Sequence, residues 1–225
     1  MASRFEKNFT DKGYMMNYEK MHLHSSLKNQ VLQFLVELQE IEPKIWRRVQ
    51  VPVDYNFWDL HVAIQDAMGW LDYHLHNFGI KAKGKREEVL IGIPDFDHLE
   101  ELPEVFPGWE IAVIGYFNAL GVEARYEYDY GDGWLHTVKL EGYIYKEKSI
   151  KYPICIGGEN ACPPEDCGGV GGYYNVIETL SDTDHYDHKD MRMWVGEEWE
   201  PKRFDHRNVK FNNPYQRWKN AFLER

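Results

Sequence analysis

Cysteine is scarce in this sequence, and long apolar runs are missing from it. The chain has three cysteines, Cys155, Cys162 and Cys167, and no apolar run near the roughly 18 residues that span a bilayer. The first residues also lack the apolar core of a signal peptide. In a reducing compartment an odd set of thiols stays free or binds metal more readily than it forms disulfides. We therefore expect a cytoplasmic protein without a membrane segment.

Positive charge is also in deficit. The chain has 26 Lys and Arg residues against 37 Asp and Glu residues, which gives a formal net charge of -11 and a pI near 5.4. Phosphate backbones are bound by clustered Lys and Arg. Direct binding to nucleic acid or to an anionic membrane is therefore not expected, and the local basic run at Lys81, Lys83, Lys85 and Arg86 is interpreted as a solvated loop.

The sequence motifs of several large enzyme classes are missing. There is no Gly-x-Ser-x-Gly elbow, no phosphate-binding loop of the Walker type and no dinucleotide-binding glycine fingerprint. These absences argue against serine hydrolases, NTPases and nicotinamide oxidoreductases.

The 225 residues are 43% hydrophobic and 15% aromatic, which is enough for one sizeable domain. Residues 1–28 are polar without a clear period and are interpreted as an N-terminal extension to a domain over residues 29–225. Apolar residues alternate with polar ones over 31–38 and 45–53, which predicts an antiparallel hairpin. Asn56 and Gly69 have the residue types of an N-cap and a C-cap, so a helix is expected over residues 57–68.

The rest of the chain adds further strands and helices. A strand over 73–80 would place His74, His76 and Phe78 on one face. Apolar residues almost all round predict a buried helix over 110–120, and a short helix is expected near Leu99. The strongest hairpin joins 124–128 to 134–140 through the glycine turn 131–133. Further helices are predicted over 173–180, 188–195 and 214–223. We expect an α+β single domain, with an antiparallel or mixed β-sheet built from hairpins and packed against several helices.

The 124–140 hairpin is the first candidate site. It carries acids, an imidazole and aromatic rings within a few residues: Tyr128, Asp129, Tyr130, Asp132, Trp134 and His136. Polar groups that converge on an aromatic wall are typical of a pocket rim. Aspartates at a turn also commonly accept backbone hydrogen bonds, so a purely structural role stays open.

The loop that holds every cysteine is the second candidate site. Three thiolates and one imidazole could bind Zn²⁺ tetrahedrally, with His136 as the fourth ligand and His74 or His76 as alternatives. The spacing of six and four residues between the cysteines is wider than in zinc knuckles, so the thiols could instead pack as small apolar groups. Possible Zn is the one cofactor that the sequence suggests.

Adjacent acids follow a rigid diproline in the same loop. In an extended backbone Glu165 and Asp166 point in opposite directions, so one of them could face a shared site as a base or a cation ligand. Alternatively, Asp166 caps the turn into Gly168 and Gly169. A further acid and His cluster at 182–188 is interpreted as a solvated helix start.

Four motifs in one order resemble the plasmid pRiA4b ORF-3-like family. They are Ile45-Trp46-Arg47-Arg48, the run from Leu60-His61 through Gly69-Trp70 to His74-Leu75-His76, residues 126–134, and residues 161–169. The resemblance covers about residues 31–211, and the chain departs from it in the N-terminal extension and in an enlarged segment over 81–120.

The resemblance implies an α+β domain found in bacteria and archaea, and some family members carry labels that link them to insertion-element passengers or resolvases. A serine recombinase needs an activated serine among arginines to attack the phosphodiester. The five serines of this chain have no such setting.

We therefore predict a soluble binding or accessory domain whose aromatic hairpin and Cys-Pro-Pro-Glu-Asp-Cys loop form one pocket for an unknown protein or small-molecule ligand. The predicted ligand or partner surface is Arg47, Arg48, Tyr128, Tyr130, Asp132, Trp134 and Asp166. The alternative is a metal-dependent hydrolase or nuclease with Asp129, His136 and Glu165 as catalytic candidates. A third hypothesis is a mobile-element accessory protein that acts on DNA through a partner.

Overall fold

The structure is a computed structural model, and it describes residues 27–81, 87–94 and 104–223. The short helix expected near Leu99 and nearly all of the predicted N-terminal extension lie outside the described residues. The boundary of the extension therefore stays a prediction.

An eight-stranded mixed sheet organises the described residues. Its order is β5-β4-β3-β6-β7-β1-β2-β8, and neighbouring strands are antiparallel except for the parallel pair of β4 and β5. With the helices described below, this architecture confirms the predicted α+β class. The strands are β1 Gln30–Leu38, β2 Trp46–Pro52, β3 His76–Lys81, β4 Glu88–Gly92, β5 Val105–Pro107, β6 Glu123–Tyr128, β7 Trp134–Tyr145 and β8 Ile154–Glu159.

Alternating apolar residues place one face of the sheet against the core. In β1, Phe34, Val36 and Leu38 are buried while Leu35 and Glu37 between them are partly exposed. β1 lies between β2 and β7 and pairs with both, so the strand with the cleanest alternation occupies the centre of the sheet. Both predicted hairpins, β1–β2 and β6–β7, are confirmed.

Helix α1 (Phe57–Met68) begins and ends where the sequence predicted. The Asn56 side chain accepts a hydrogen bond from the Asp59 amide at 2.8 Å, and the Asp59 carboxylate accepts one from the Asn56 amide at 3.2 Å. This reciprocal pair is a capping box. Gly69 ends the helix with a φ of 98°, in the left-handed region that favours glycine.

The other helices are α2 Val113–Tyr116, α3 Gly169–Ser181, α4 His188–Val195 and α5 Pro214–Phe222. The last two confirm their predictions closely, but the buried helix predicted over 110–120 was wrong. That segment holds the four residues of α2 alone, preceded by a 3-10 turn, and no side chain caps α2 at Ala112. Val113 and Phe117 are nevertheless fully buried. Apolar residues on every side indicate burial, and here an irregular segment is buried in place of a helix.

Helix α5 packs against α1 and joins the C-terminal part of the chain to the core. Trp218 is buried, and the Trp58 indole donates a hydrogen bond to the Pro214 carbonyl at 3.0 Å. The Arg217 guanidinium forms an ion pair with Asp66 at 2.7 Å. α5 is therefore held by both an aromatic contact and a charged one.

Candidate functional site

The β6–β7 hairpin and the loop over residues 161–169 are in direct contact. The Gly168 amide donates a hydrogen bond to Asp132 Oδ2 at 3.1 Å, and the Tyr128 hydroxyl donates one to Glu165 Oε1. Gly169 has a φ of 68°, and a Cβ at this position would lie 2.5 Å from the Asp132 carbonyl oxygen. Only glycine permits this approach, so the turn glycines of the loop serve to dock it on the hairpin.

Indole and amide donors fix the acidic part of the loop. The Trp70 indole donates to the Pro163 carbonyl at 3.0 Å, and the Trp199 indole donates to the Cys162 carbonyl at 3.1 Å. The Leu71 amide donates to Glu165 Oε2 at 3.3 Å. The loop is therefore held by hydrogen bonds from both the segment after α1 and the segment after α4.

Glu165 is a half-buried carboxylate whose two oxygens each accept a hydrogen bond. Burial raises its pKa, while the Tyr128 hydroxyl and the Leu71 amide act in the opposite direction. Burial also raises the pKa of Tyr128 far above its ordinary value, so this phenol keeps its proton at neutral pH. The pair therefore consists of a phenol donor and a carboxylate acceptor.

Beside this pair, His74 meets two aspartates. His74 Nε2 lies 3.0 Å from Asp166 Oδ1 and 3.6 Å from Asp129 Oδ2. Asp129 and Asp166 both have a φ of 57°, in a backbone region that residues other than glycine rarely adopt. Asp129 is buried whereas Asp166 is exposed, so the group opens to solvent on the loop side.

An open cleft of about 610 Å³ borders the other side of the loop. Its walls come from the segment after α1, the loop with Glu165 and Asp166, and the segment from the end of α4. Trp70, Tyr73, Trp194 and Trp199 supply aromatic surface to it. The cleft therefore combines apolar walls with two acidic residues, of which Glu165 also accepts a hydrogen bond from Tyr128 of the hairpin.

The two neighbouring arginines of β2 lie on opposite faces of the sheet. Arg47 lines the cleft, and its buried guanidinium donates to the carbonyl oxygens of Ala67, Trp46 and Glu159. Arg48 forms an ion pair with Glu141 at 2.6 Å and does not line the cleft. Successive side chains of a strand point to opposite faces, so the structure brings one of the two predicted arginines to the site.

His136 lies in the core beneath the site. It is 1% exposed, its Nδ1 is 3.3 Å from the Tyr126 carbonyl oxygen, and its ring meets Trp70 edge-on. Burial lowers its pKa to about 4, which leaves the ring neutral at pH 7. This catalytic and metal-ligand candidate is therefore a core residue, whereas His74, Asp129, Glu165 and Asp166 form the group that we call the rim.

The cysteines lie in and after β8 as free thiols. Burial raises the pKa of Cys155 and Cys162 and brings that of Cys167 to about 12, so the thiols hold their protons at neutral pH. Within residues 27–81, 87–94 and 104–223, one group of at least three metal-ligating side chains has all its donor atoms within 4.8 Å of one another, and it is His74, Asp129 and Asp166. Zinc binding by the cysteines and His136 stays a prediction.

A buried polar cluster under the rim was missed by the sequence reasoning. His61 and His76 stack with ring centroids 3.5 Å apart and an interplanar angle of 7°. His61 bonds to the Tyr126 hydroxyl at 2.8 Å and to Asp72 Oδ1 at 2.7 Å. His61 lies on a helix and its partners on other elements, so no local pattern joins them. The predicted strand over 73–80 also begins later, at His76, which leaves His74 in the preceding loop.

A sequence profile described as "Plasmid pRiA4b ORF-3-like protein" matches residues 30–208. The chain belongs to the plasmid pRiA4b ORF-3-like family. Every side chain of the rim and the cleft described above lies within the matched residues, whereas α5 follows them.

Two other proteins are similar to this plasmid pRiA4b ORF-3-like chain. "Uncharacterized protein y4hQ" of Sinorhizobium fredii is 32% identical over 168 residues, which cover 74% of this chain and 81% of that protein. The crystal structure of "Protein of Unknown Function MM3350 from Methanosarcina mazei Go1" superposes with a TM-score of 0.72 at 36% identity, and covers 81% of this chain and 98% of that one.

The plasmid pRiA4b ORF-3-like family is one of unknown function, and neither relative's name states an activity. Across the described part of this chain, no helix has the length and apolar character needed to cross a membrane.

Proposed function

We propose that this chain is a ligand-binding domain and that the cleft beside the 161–169 loop takes an organic cation with an apolar portion. The proposal is carried by one observation: exposed apolar side chains and two acidic residues line the same concave surface. Ligand pockets are typically apolar clefts with a few placed polar groups.

Exposed apolar residues support the apolar half of this ligand. Leu71, Tyr73 and Trp194 are 60%, 72% and 50% exposed, and all three line the cleft. Single exposed apolar side chains are ordinary, but several around one concavity favour a binding surface. A ligand that covers them gains about 25 cal/mol for each Å² of apolar area removed from water.

Charge supports the cationic half. The acidic residues Glu165 and Asp166 are among those that line the cleft, and the chain has a formal net charge of -11. The positive charge of Arg47 competes with them, but its guanidinium donates to three carbonyl oxygens and is covered by the Phe204 ring at 3.5 Å. Aromatic faces also attract organic cations. These terms favour an ammonium or guanidinium group over a carboxylate.

A matched pair of small aromatic probes tests both halves. Phenylethylamine and phenylpropionate are of similar size and carry opposite charges, and each would be titrated against the full chain while amide and indole NMR signals are followed. We expect saturable shifts at Trp194 and Trp199 with the amine and a clearly weaker response with the carboxylate. Changing Glu165→Gln should weaken amine binding, and Lys210→Gln, at an exposed position outside the cleft lining, should leave it unchanged.

Two results would contradict the proposal. If phenylpropionate binds as tightly as phenylethylamine, or more tightly, the positive charge of Arg47 determines which charge the cleft prefers. Saturable shifts of either probe elsewhere, with none at the cleft, would remove the cleft as the binding site.

A second function, metal-dependent hydrolysis, is favoured by the grouping of His74, Asp129 and Asp166 next to the cleft. A hydrolase of this kind needs a metal with an open coordination position beside its substrate. The test is turnover of phosphodiester and ester substrates by chain loaded with Mn²⁺ or Zn²⁺, compared with the Asp166→Asn protein. Action on DNA through a partner protein stays a prediction, checked by a salt-sensitive mobility shift.

A further inference from the structure

We propose that His74, Asp129 and Asp166 form a binding site for one divalent transition-metal ion. The site goes beyond the proposed cleft ligand, because His74 and Asp129 do not line the cleft. It also differs from the zinc site predicted from the cysteines, since its donors are one imidazole nitrogen and two carboxylate oxygens.

The spacing of the three side chains fits neighbouring ligands of a single ion. Donor atoms that each lie about 2.0 to 2.2 Å from a metal are about 3 to 3.6 Å from one another in tetrahedral or octahedral geometry. His74 Nε2 is 3.0 Å from Asp166 Oδ1 and 3.6 Å from Asp129 Oδ2. All three donor atoms lie within 4.8 Å of one another.

The hydrogen bonding of these atoms supplies a second, independent observation. Among the residues that the structure describes, His74 Nε2 is a buried atom without a hydrogen-bond partner, although the Asp166 Oδ1 atom lies 3.0 Å away. Asp129 is 6% exposed, and its Oδ1 accepts the Gly131 amide at 2.9 Å. Within the described residues its Oδ2 accepts no hydrogen bond. A buried nitrogen of His74 and a carboxylate oxygen of the largely buried Asp129 thus converge without a hydrogen bond between them, which is the arrangement of ligands around a third atom.

The donor set determines the class of ion. An imidazole with two carboxylates suits Zn²⁺ and Mn²⁺, and three protein ligands leave positions for water or substrate. The Gly131 amide donates a hydrogen bond to Asp129 Oδ1 and so orients this carboxylate, and ligating carboxylates are commonly hydrogen-bonded in this way. Asp166 is exposed, so an ion reaches the site from solvent without any rearrangement of the core.

The competing interpretation is a simple ion pair between a protonated His74 and the two aspartates. Mn²⁺ separates the two interpretations, because it prefers oxygen and imidazole ligands and binds thiolates poorly, which removes the cysteines from the result. The experiment uses the full chain, treated with chelator and dialysed, then titrated with Mn²⁺ alone while free Mn²⁺ is followed by EPR.

We expect one Mn²⁺ per chain, and about tenfold or greater loss of affinity in the Asp166→Asn and His74→Gln proteins. Asp166→Asn changes an exposed residue, so this variant should keep the wild-type melting temperature and show that lost binding is not lost folding. Asp184→Asn is the matched control, because it removes an exposed carboxylate from the other cluster rich in Asp and His. Line broadening by bound Mn²⁺ should be strongest at the Gly131 and Asp166 amides.

Binding that is absent, or that is equal in the wild type and in the Asp166→Asn and His74→Gln proteins, would overturn the site and leave the ion pair. The titration contains no organic ligand, so its outcome is independent of whether the cleft binds a cation.

Discussion

His74 and His76 are separated by one residue, yet the structure gives them opposite surroundings. His76 is fully buried and stacks on His61, and neither of its ring nitrogens has a hydrogen-bond partner in the described part of the chain. His74 lies in the loop before β3, partly exposed, with two carboxylates beside its Nε2. One imidazole is part of the core, and the other belongs to the rim.

The difference shows how surroundings decide the chemistry of one residue type. Burial lowers the pKa of His76 well below its ordinary value, and the neighbouring His61 acts in the same direction, so the ring stays neutral. At the rim, carboxylates and solvent access give His74 the setting of a ligand. Local sequence alone treats the pair as equivalent, because both would lie on one face of a continuous strand.

The largest expected effect is a loss of stability in mild acid. The folded-state pKa values of His76 and His136 lie below the unfolded value near 6.5. The stabilisation of the folded state by these two neutral rings is therefore complete above pH 6.5. It is lost as the pH falls, because the unfolded chain then binds protons that the buried rings of the folded chain do not bind. When the pH is lowered from 7.5 to 5.5, each of the two histidines should lower the free energy of unfolding by about 1.4 kcal/mol. Together they should lower it by roughly 3 kcal/mol.

Urea unfolding at the two pH values measures this loss before ordinary carboxylates begin to titrate. An unchanged free energy of unfolding would mean that both rings take up protons in the folded state. His76 would then not differ from His74 in the way that its burial predicts.

The next largest effect is the difference in stability between alanine substitutions at His76 and at His74. Changing His76→Ala should lower the free energy of unfolding by about 2 kcal/mol, because the cavity costs about 3 to 5 kcal/mol and removal of unpartnered polar atoms returns about 1 to 3 kcal/mol. His74→Ala should stay within about 0.5 kcal/mol of the wild type. Urea unfolding at pH 7.5 measures both free energies of unfolding. Similar losses of stability in the His76→Ala and His74→Ala proteins would contradict the assignment of His76 to the core and His74 to the rim. The His76→Ala protein should also show about half of the acid sensitivity.

The smallest effect concerns the boundary between core and rim. The Tyr128 hydroxyl donates to Glu165 and accepts the Tyr73 amide at 3.1 Å. Tyr128→Phe leaves both partners unpaired and should cost about 1 to 2 kcal/mol. Tyr145→Phe is the control, since Tyr145 is 70% exposed. Equal thermal melts for the two variants would show that this hydroxyl does not hold the loop to the hairpin.

Elements whose ends are marked by local chemistry could be predicted from the sequence. Asn56 and Gly69 bracket α1, and Asn213 begins α5 by accepting the Gln216 amide, because caps act through residues three or four positions apart. The contact between the hairpin and the 161–169 loop followed from their shared acids, glycines and aromatic rings. Strand β8 was missed, since Gly157 and Gly158 weaken its pattern; Gly158 instead lets the Phe204 ring lie against the backbone.

Long-range relations could not be predicted in this way. The stacking of His61 on His76 depends on how α1 crosses the sheet, and the separation of Arg47 from Arg48 depends on which face of β2 is covered. Likewise, His74 meets Asp166 through a turn whose backbone no periodicity specifies. The sequence names the residue types of the site, and tertiary packing selects which members take part.

Helix α5 supplies positive charge to two aspartates near the buried histidine stack. Arg217 reaches Asp66 at 2.7 Å and Asp72 at 3.4 Å, and Asp72 is the residue that bonds to His61. The counter-charge for this buried carboxylate is thus supplied by a residue 145 positions further along the chain. Without docked α5 the imidazole stack would lack this cationic partner, so the polar cluster is complete only when these two distant segments meet.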